Sequence, residues 1–164
     1  MIELIVLDVD GCLTDGKIYY TSQTEEIKAF NVKDGLGINS WIKLGKKVAI
    51  ITGRNSDIVK RRSDELGITH LYQGIKDKKE ALNSILKEEG LEWSEVAGIG
   101  DDWNDVAMLK SIKWSFSPKD AAPCVLSTVH TILTAKGGKG AVREMIEMII
   151  DKEGLNRQME ALWL

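Results

Sequence analysis

Short apolar runs alternate with stretches of helical period along this chain. The runs at residues 2–7, 48–51, 70–72, 96–99 and 112–116 are too short for helices and predict buried strands. Between them, residues 34–44, 56–66, 78–89, 105–109 and 141–151 carry the spacing of helices. Gly45, Gly67 and Gly90 stand where the first three helices should stop. Alternation of this kind predicts βαβ units, and so an α/β fold with a doubly wound parallel sheet, Rossmann-like in architecture. One segment breaks the rhythm. Residues 17–32, KIYYTSQTEEIKAFNV, set two β-rich arms around a polar turn and predict a hairpin inserted after strand one.

Polar residues gather where each strand should end. Asp8 and Asp10 follow the first strand, with Gly11 and Asp15 close behind. Thr52, Gly53 and Arg54 follow the second, and Lys78 opens the helix after the third. Asp101, Asp102 and Asp105 follow the fourth. In open α/β sheets, ligands bind outside these carboxyl ends. So many acids repel one another: a like-charge pair at about 4 Å costs on the order of 4 kcal/mol at an effective dielectric near 20. A divalent cation would relieve that, and Mg²⁺ suits a few carboxylates together with phosphate and water. The chemistry such a group fits is phosphoryl transfer through an aspartyl-phosphate, in which a carboxylate nucleophile splits one hard hydrolysis into two easier steps. Lys78, the Thr52 hydroxyl and nearby backbone N–H groups would neutralise and orient the phosphoryl oxygens.

Composition changes this picture little. The chain has 164 residues, which argues for one domain over 1–164. With a net charge of -3 it carries no footprint of a nucleic-acid partner. The first apolar run is interrupted at Asp8, so it predicts neither a signal segment nor a membrane span. Cys12 and Cys124 are too few and too isolated for a disulfide framework, which points to a reducing, cytoplasmic setting. His70, His130 and the tryptophans at 41, 93 and 114 are expected to be structural. The KGGKG segment at 136–140 reads equally as a shaped turn or as an anion-binding approach to a helix. The end of the chain, QMEALWL within 155–164, is apolar enough to be expected to pack.

Taken in order, DVDGCLTDG, ITGR, the later lysine and GDDWND resemble the four motifs of the haloacid dehalogenase superfamily of phosphatases. That resemblance implies Asp8 as nucleophile and Asp10 as general acid/base. It implies Mg²⁺ held by Asp8, the backbone carbonyl of Asp10 and Asp101, with Asp102 and Asp105 supporting. Phosphate would be held by Thr52, Gly53 and Lys78. The spacing leaves no room for a cap domain between Asp10 and Thr52 or between Arg54 and Lys78. With FNVKDGLGI, THLYQG and KGGKGAVRE, the pattern resembles the capless family acting on 3-deoxy-D-manno-octulosonate 8-phosphate in lipopolysaccharide biosynthesis. Capless enzymes for 3-deoxy-nonulosonate 9-phosphate share the pattern. The substrate implied is a phosphorylated keto-sugar acid, with Asn31, Lys33, Asp34, Gly35, Arg54 and Arg62 at positions the family uses to bind it.

A capless site is open to water, and covalent phosphoryl chemistry gains from excluding it. The hairpin at 17–32 is the candidate cover, yet a two-stranded hairpin is marginal alone. The resemblance implies a homotetramer in which each hairpin helps close a neighbour's site. A receiver-like signalling domain is the rival of another class. It places its acidic pair first and its accepting aspartate later, the reverse of the order here.

Overall fold

A computed structural model describes residues 1–164. Strand β1 (Leu4–Leu7) lies at the centre of a six-stranded parallel sheet. Hydrogen-bonded to it are β4 (Lys47–Ile51) on one side and β6 (Val96–Ile99) on the other. Outward from β4 comes β5 (His70–Tyr72); outward from β6 come β7 (Trp114–Ser117) and the two-residue β8 (Thr131–Ile132). The spatial order is β5-β4-β1-β6-β7-β8. Counted along the sheet's own strands this is 3-2-1-4-5-6, the Rossmann winding, whereas receiver domains wind 2-1-3-4-5. The order reverses between β1 and β6, and the crevice at that switch point is where ligands bind in such sheets.

Every residue of β1 is buried because helices cover both faces of the sheet. Ile5 and Leu7 face a core shared with Trp41, Met145 and Phe116, while Leu4 and Val6 face one shared with Leu82, Met108 and Val96. Helices α1 (Val32–Lys43), α2 (Asp57–Leu66) and α3 (Lys78–Glu89) follow the hairpin segment, β4 and β5. Their starts are fixed by side chains: Asn31 accepts from Lys33 N at 2.8 Å and Asp77 from Glu80 N at 3.0 Å. Gly67 and Gly90 end α2 and α3 in the left-handed conformation that glycine adopts without penalty. Short helices α4 (Val106–Leu109) and α5 (Pro123–Leu126) flank β7. The long α6 (Ala141–Glu153) packs on α1, and α7 (Asn156–Ala161) closes the chain.

The hairpin is narrower than the sequence predicts. Its strands are β2 (Tyr19–Tyr20) and β3 (Glu26–Ile27), paired antiparallel. The second arm leaves the ladder after Ile27 because Lys28 turns inward to Asp10 and Asn31 is needed as the cap of α1. The last large strand also shifts, starting at Trp114 rather than residue 112, and β8 is too short to leave a periodic signal. His70 is held by Glu89 at 2.6 Å, and His130 accepts from Ser115 N at 3.1 Å; both serve the frame. Trp163 docks through Nε1 to Ser40 Oγ at 3.2 Å, although Leu164 stays exposed. No helix is long and apolar enough to cross a membrane.

Candidate active site

The end of β1 runs into an irregular turn, Val9–Leu13, that aims Asp8 and Asp10 into the crevice. Gly11 makes the turn possible in two ways. Its φ is +97°, and a Cβ there would fall 1.9 Å from Asp101 Oδ2. The carboxylate at the end of β6 therefore occupies space that any other residue at position 11 would fill. Gly100 gives the same freedom to Asp105, whose side chain lies 2.5 Å from where its Cβ would stand.

Behind the crevice sits a buried ionic cluster. Lys78, first residue of α3, donates to Asp8 Oδ1 at 2.7 Å and to Asp105 Oδ1 at 2.6 Å. The lysine side chain and that of Asp105 are both 0% exposed. The other oxygen of Asp105 accepts from Asp101 N at 2.9 Å and Asp102 N at 3.2 Å. Asp105 thereby shapes the loop that presents Asp101, and Asp102 caps the same turn by accepting from Trp103 N at 2.8 Å. Burial works against the charge on Lys78, but Asp8 and Asp105 outweigh it and raise its pKa. One ammonium does not balance the acids. Burial, then repulsion from Asp105, pushes Asp8 up to about 6 against the pull of Lys78. Burial, then Asp8 and Asp105, pushes Asp101 up to about 8.

That surplus of negative charge is what a bound cation would offset. Ligand atoms of Asp8, Cys12 and Asp101 all lie within 4.8 Å of one another. Burial, followed by Asp8, Asp101 and Asp105, raises the Cys12 thiol well above its usual pKa, so it stays protonated and offers no thiolate. The donors that remain are hard carboxylate oxygens, the set that suits Mg²⁺ rather than a thiolate-seeking metal.

In front lies an open cleft of about 190 Å³ lined by Asp8, Asp10, Thr52, Gly53, Arg54, Asp101, Asp102 and Asn104, none of them apolar. Thr52 is buried at the end of β4, its N–H donating to Tyr72 O at 2.9 Å. Asn104 joins the cleft unexpected, since a single amide among the acids of GDDWND carries no signal of its own in the sequence. Three hairpin residues also reach the site without a sequence expectation. Tyr20 OH accepts from Arg54 Nη2 at 3.1 Å, Glu26 lies 3.8 Å from the same nitrogen, and Lys28 pairs with Asp10. Glu26 and Lys28 sit two apart on one arm, so opposite charges share a face; that spacing was the available signal.

Several expected contacts lie elsewhere. Lys78 does not line the cleft; the two buried carboxylates it bridges keep its ammonium behind Asp8. Of the six residues expected to bind substrate, Arg54 alone faces the cleft. Asn31 caps α1 and reaches Gly138 O at 3.4 Å. Lys33 is exposed at the start of α1. Asp34 is buried, accepting from Arg143 N at 2.8 Å at the head of α6. Gly35 leaves room for Arg62, since a Cβ there would come within 2.3 Å of Nη2. Arg62 itself lies over the Phe30 ring at 5.7 Å and pairs with Glu65 at 3.5 Å. These contacts serve the packing of α1, α2 and α6. The 136–140 loop braces the turn after β1. Gly137 N already donates to the Asp120 carboxylate at 3.0 Å, and Gly138 N donates to Cys12 O at 3.0 Å.

The model for haloacid dehalogenase-like hydrolases matches residues 37–113. The 3-deoxy-D-manno-octulosonate 8-phosphate phosphatase of Yersinia pestis is 44% identical over 149 residues, covering 91% of this chain and 80% of that protein. This chain belongs to the haloacid dehalogenase-like hydrolase family. Within that family, its fold is shared with solved phosphatases. The octulosonate phosphatase of Moraxella catarrhalis, in complex with magnesium, phosphate and the sugar acid, superposes with a TM-score of 0.95 at 40% identity, over 99% of this chain and 94% of the other. The cobalt-bound Haemophilus influenzae enzyme gives 0.90 at 39%, over 93% and 90%. As a hydrolase of this family, the chain is read as a phosphatase whose four motif segments meet at one sheet edge.

Proposed function

We propose that this chain is a cytoplasmic, Mg²⁺-dependent phosphomonoesterase. It hydrolyses 3-deoxy-D-manno-octulosonate 8-phosphate to the free sugar acid and phosphate, a step in lipopolysaccharide biosynthesis. The whole of 1–164 forms one phosphatase domain. An Asp8 oxygen attacks phosphorus while the bond from phosphorus to the sugar oxygen breaks, and Asp10 delivers a proton to the departing alkoxide. Asp10 then takes a proton from the water that attacks the aspartyl-phosphate, releasing phosphate and restoring Asp8. Lys78 holds Asp8 in line from behind, and Thr52, Gly53 and Arg54 receive the phosphoryl oxygens and the acidic sugar at the mouth. Asp8, the Asp10 carbonyl and Asp101 would hold Mg²⁺, which supplies neutralising charge at the phosphoryl oxygens.

The observation that carries this reading is the buried Lys78 bridge between Asp8 and Asp105 beside a wholly polar cleft. A buried pair of this kind gives less stability than apolar packing of the same volume, so its presence supports a chemical role. The reducing compartment is supported by two cysteines that remain free. A homotetramer in which hairpins cover neighbouring sites is supported by Tyr19, Tyr20 and Ile27, each more than half exposed on two-residue strands. The deciding experiment compares kcat/KM on octulosonate 8-phosphate, nonulosonate 9-phosphate and simple sugar phosphates. A preference for the first is expected; a preference for the second would transfer the assignment to the longer sugar, and indifference would remove the sugar-acid specificity.

A further inference from the structure

Lys28 stands apart from every other lysine outside the Asp8 cluster. It comes from the hairpin arm just after β3, yet its side chain is 0% exposed. Its ammonium pairs with Asp10 Oδ1 and with Glu26 at 3.1 Å. Burying an ammonium costs several kcal/mol even after relaxation, and an apolar residue of the same volume would fill the space at less cost. The fold has no need of a charge there, and what the charge touches is the carboxylate beside the nucleophile. The contact also decides which oxygen of Asp10 is free. An ammonium only donates, so Oδ1 is committed as acceptor. No other group of the protein hydrogen-bonds to the Asp10 carboxylate, which leaves Oδ2 open on a residue that lines the cleft.

We propose that Lys28 is a positioning residue for the acid/base step: it fixes the plane of the Asp10 carboxylate so that Oδ2 meets the leaving-group oxygen. The inference rests on the reading of Asp10 as general acid/base. It gives the hairpin a role within its own chain, because Glu26 holds Lys28 and both reach the crevice from the same arm. The proton path is balanced. Oδ2 gives its proton to the departing alkoxide and later receives one from water, while Lys28 keeps all of its own.

The test is single-turnover cleavage of two esters by Lys28→Met, a neutral side chain of similar length. Octulosonate 8-phosphate has a poor alkoxide leaving group and needs protonation; p-nitrophenyl phosphate leaves without it. Acid/base assistance is worth about 10² to 10⁴-fold, so a misaligned Asp10 is expected to slow the sugar ester by roughly 30-fold or more and the nitrophenyl ester by under about threefold. Lys28→Arg is expected to recover most of the difference. Because Lys28→Met leaves Asp10 and Glu26 facing each other, Lys28→Met/Glu26→Gln is measured beside it and is expected to show the same selectivity. Equal losses on the two esters would overturn the proposal and reduce Lys28 to a hairpin tether; no loss on the sugar ester would overturn it too. Asp10→Asn separates the two levels. If it shows the ester selectivity and Lys28→Met does not, only the positioning role fails; if Asp10→Asn shows none, the acid/base reading itself fails.

Discussion

At the sheet edge, Lys78 is clamped between Asp8 and Asp105 with no solvent exposure. Across the cleft, the hairpin meets Arg54 through a tyrosine that is 64% exposed and a carboxylate 3.8 Å away. The first group hangs on the two central strands, buried on both faces, and on the first residue of α3. The second hangs on two strands of two residues each. On the proposed reading, the contacts that hold the nucleophile are placed where local opening costs most of the stability of the fold. Contacts that meet the variable part of a substrate are placed where opening costs little. The contrast explains how one site can hold a nucleophile rigidly and still admit a bulky ester.

The largest effects are expected at the buried cluster around Lys78. Asp8→Asn is predicted to abolish turnover, since an amide forms no aspartyl-phosphate; rapid-quench assays that find near-normal kcat would dismiss the mechanism. Lys78→Met is predicted to cost activity and also about 3–5 kcal/mol of stability, because two buried carboxylates lose their cation. Urea unfolding that finds the variant as stable as the parent would show that the bridge is not the anchor described.

Next comes the metal, whose effect should be legible in stability as well as rate. Chelation is predicted to remove activity and Mg²⁺ to restore it. In the metal-free protein Asp8 and Asp101 titrate at about 6 and about 8, above the ordinary value of 3.8. The folded state therefore binds more protons than the unfolded state between about pH 4 and pH 8. Stability from these groups must fall as pH rises through that window. Thermal melts in chelator should show the decline, Mg²⁺ should reverse it, and Asp101→Asn should flatten it.

The hairpin predictions are smaller in stability and sharper in selectivity. Shortening residues 21–25 is predicted to leave the sheet's melting temperature almost unchanged while activity on the sugar acid and the tetramer are both lost. Light scattering that finds a fully active monomer would mean closure comes from one chain alone. Arg54→Ala is predicted to lower kcat/KM on the acidic sugar phosphate well beyond its effect on a small neutral ester. Equal loss on both would assign Arg54 to the phosphate.

The sheet and the four polar strand ends were legible because burial on both faces leaves uninterrupted apolar runs, and the residues after them have little structural reason to be acidic. Asp8, Asp101 and Asp105 therefore stood out from spacing alone. What was not legible depended on contacts between distant segments. Asp34 looks like any acid in the first turn of a helix until Arg143 N is seen to donate to it. Lys28 looks like a solvent-facing strand residue until the arm is seen to bend inward. Lys78 was placed correctly along the chain, but which side of Asp8 it occupies follows from the depth of α3. The 136–140 loop was ambiguous for the same reason, its partners being far away in sequence.

That loop has a consequence for the order in which the enzyme comes into being. A Cβ at Gly137 would lie 1.8 Å from Gly11 O, and Gly138 N donates to Cys12 O, so the turn after β1 is backed by the loop that leads into α6. Every residue proposed for the chemistry has been joined to the chain once Asp105 is made. The backing has not. A nascent chain therefore carries a complete set of reactive groups on an unsupported turn, and it is expected to stay inert until the last long helix docks. Released chains ending near residue 130 should bind no phosphate analogue, whereas full-length chains should bind it.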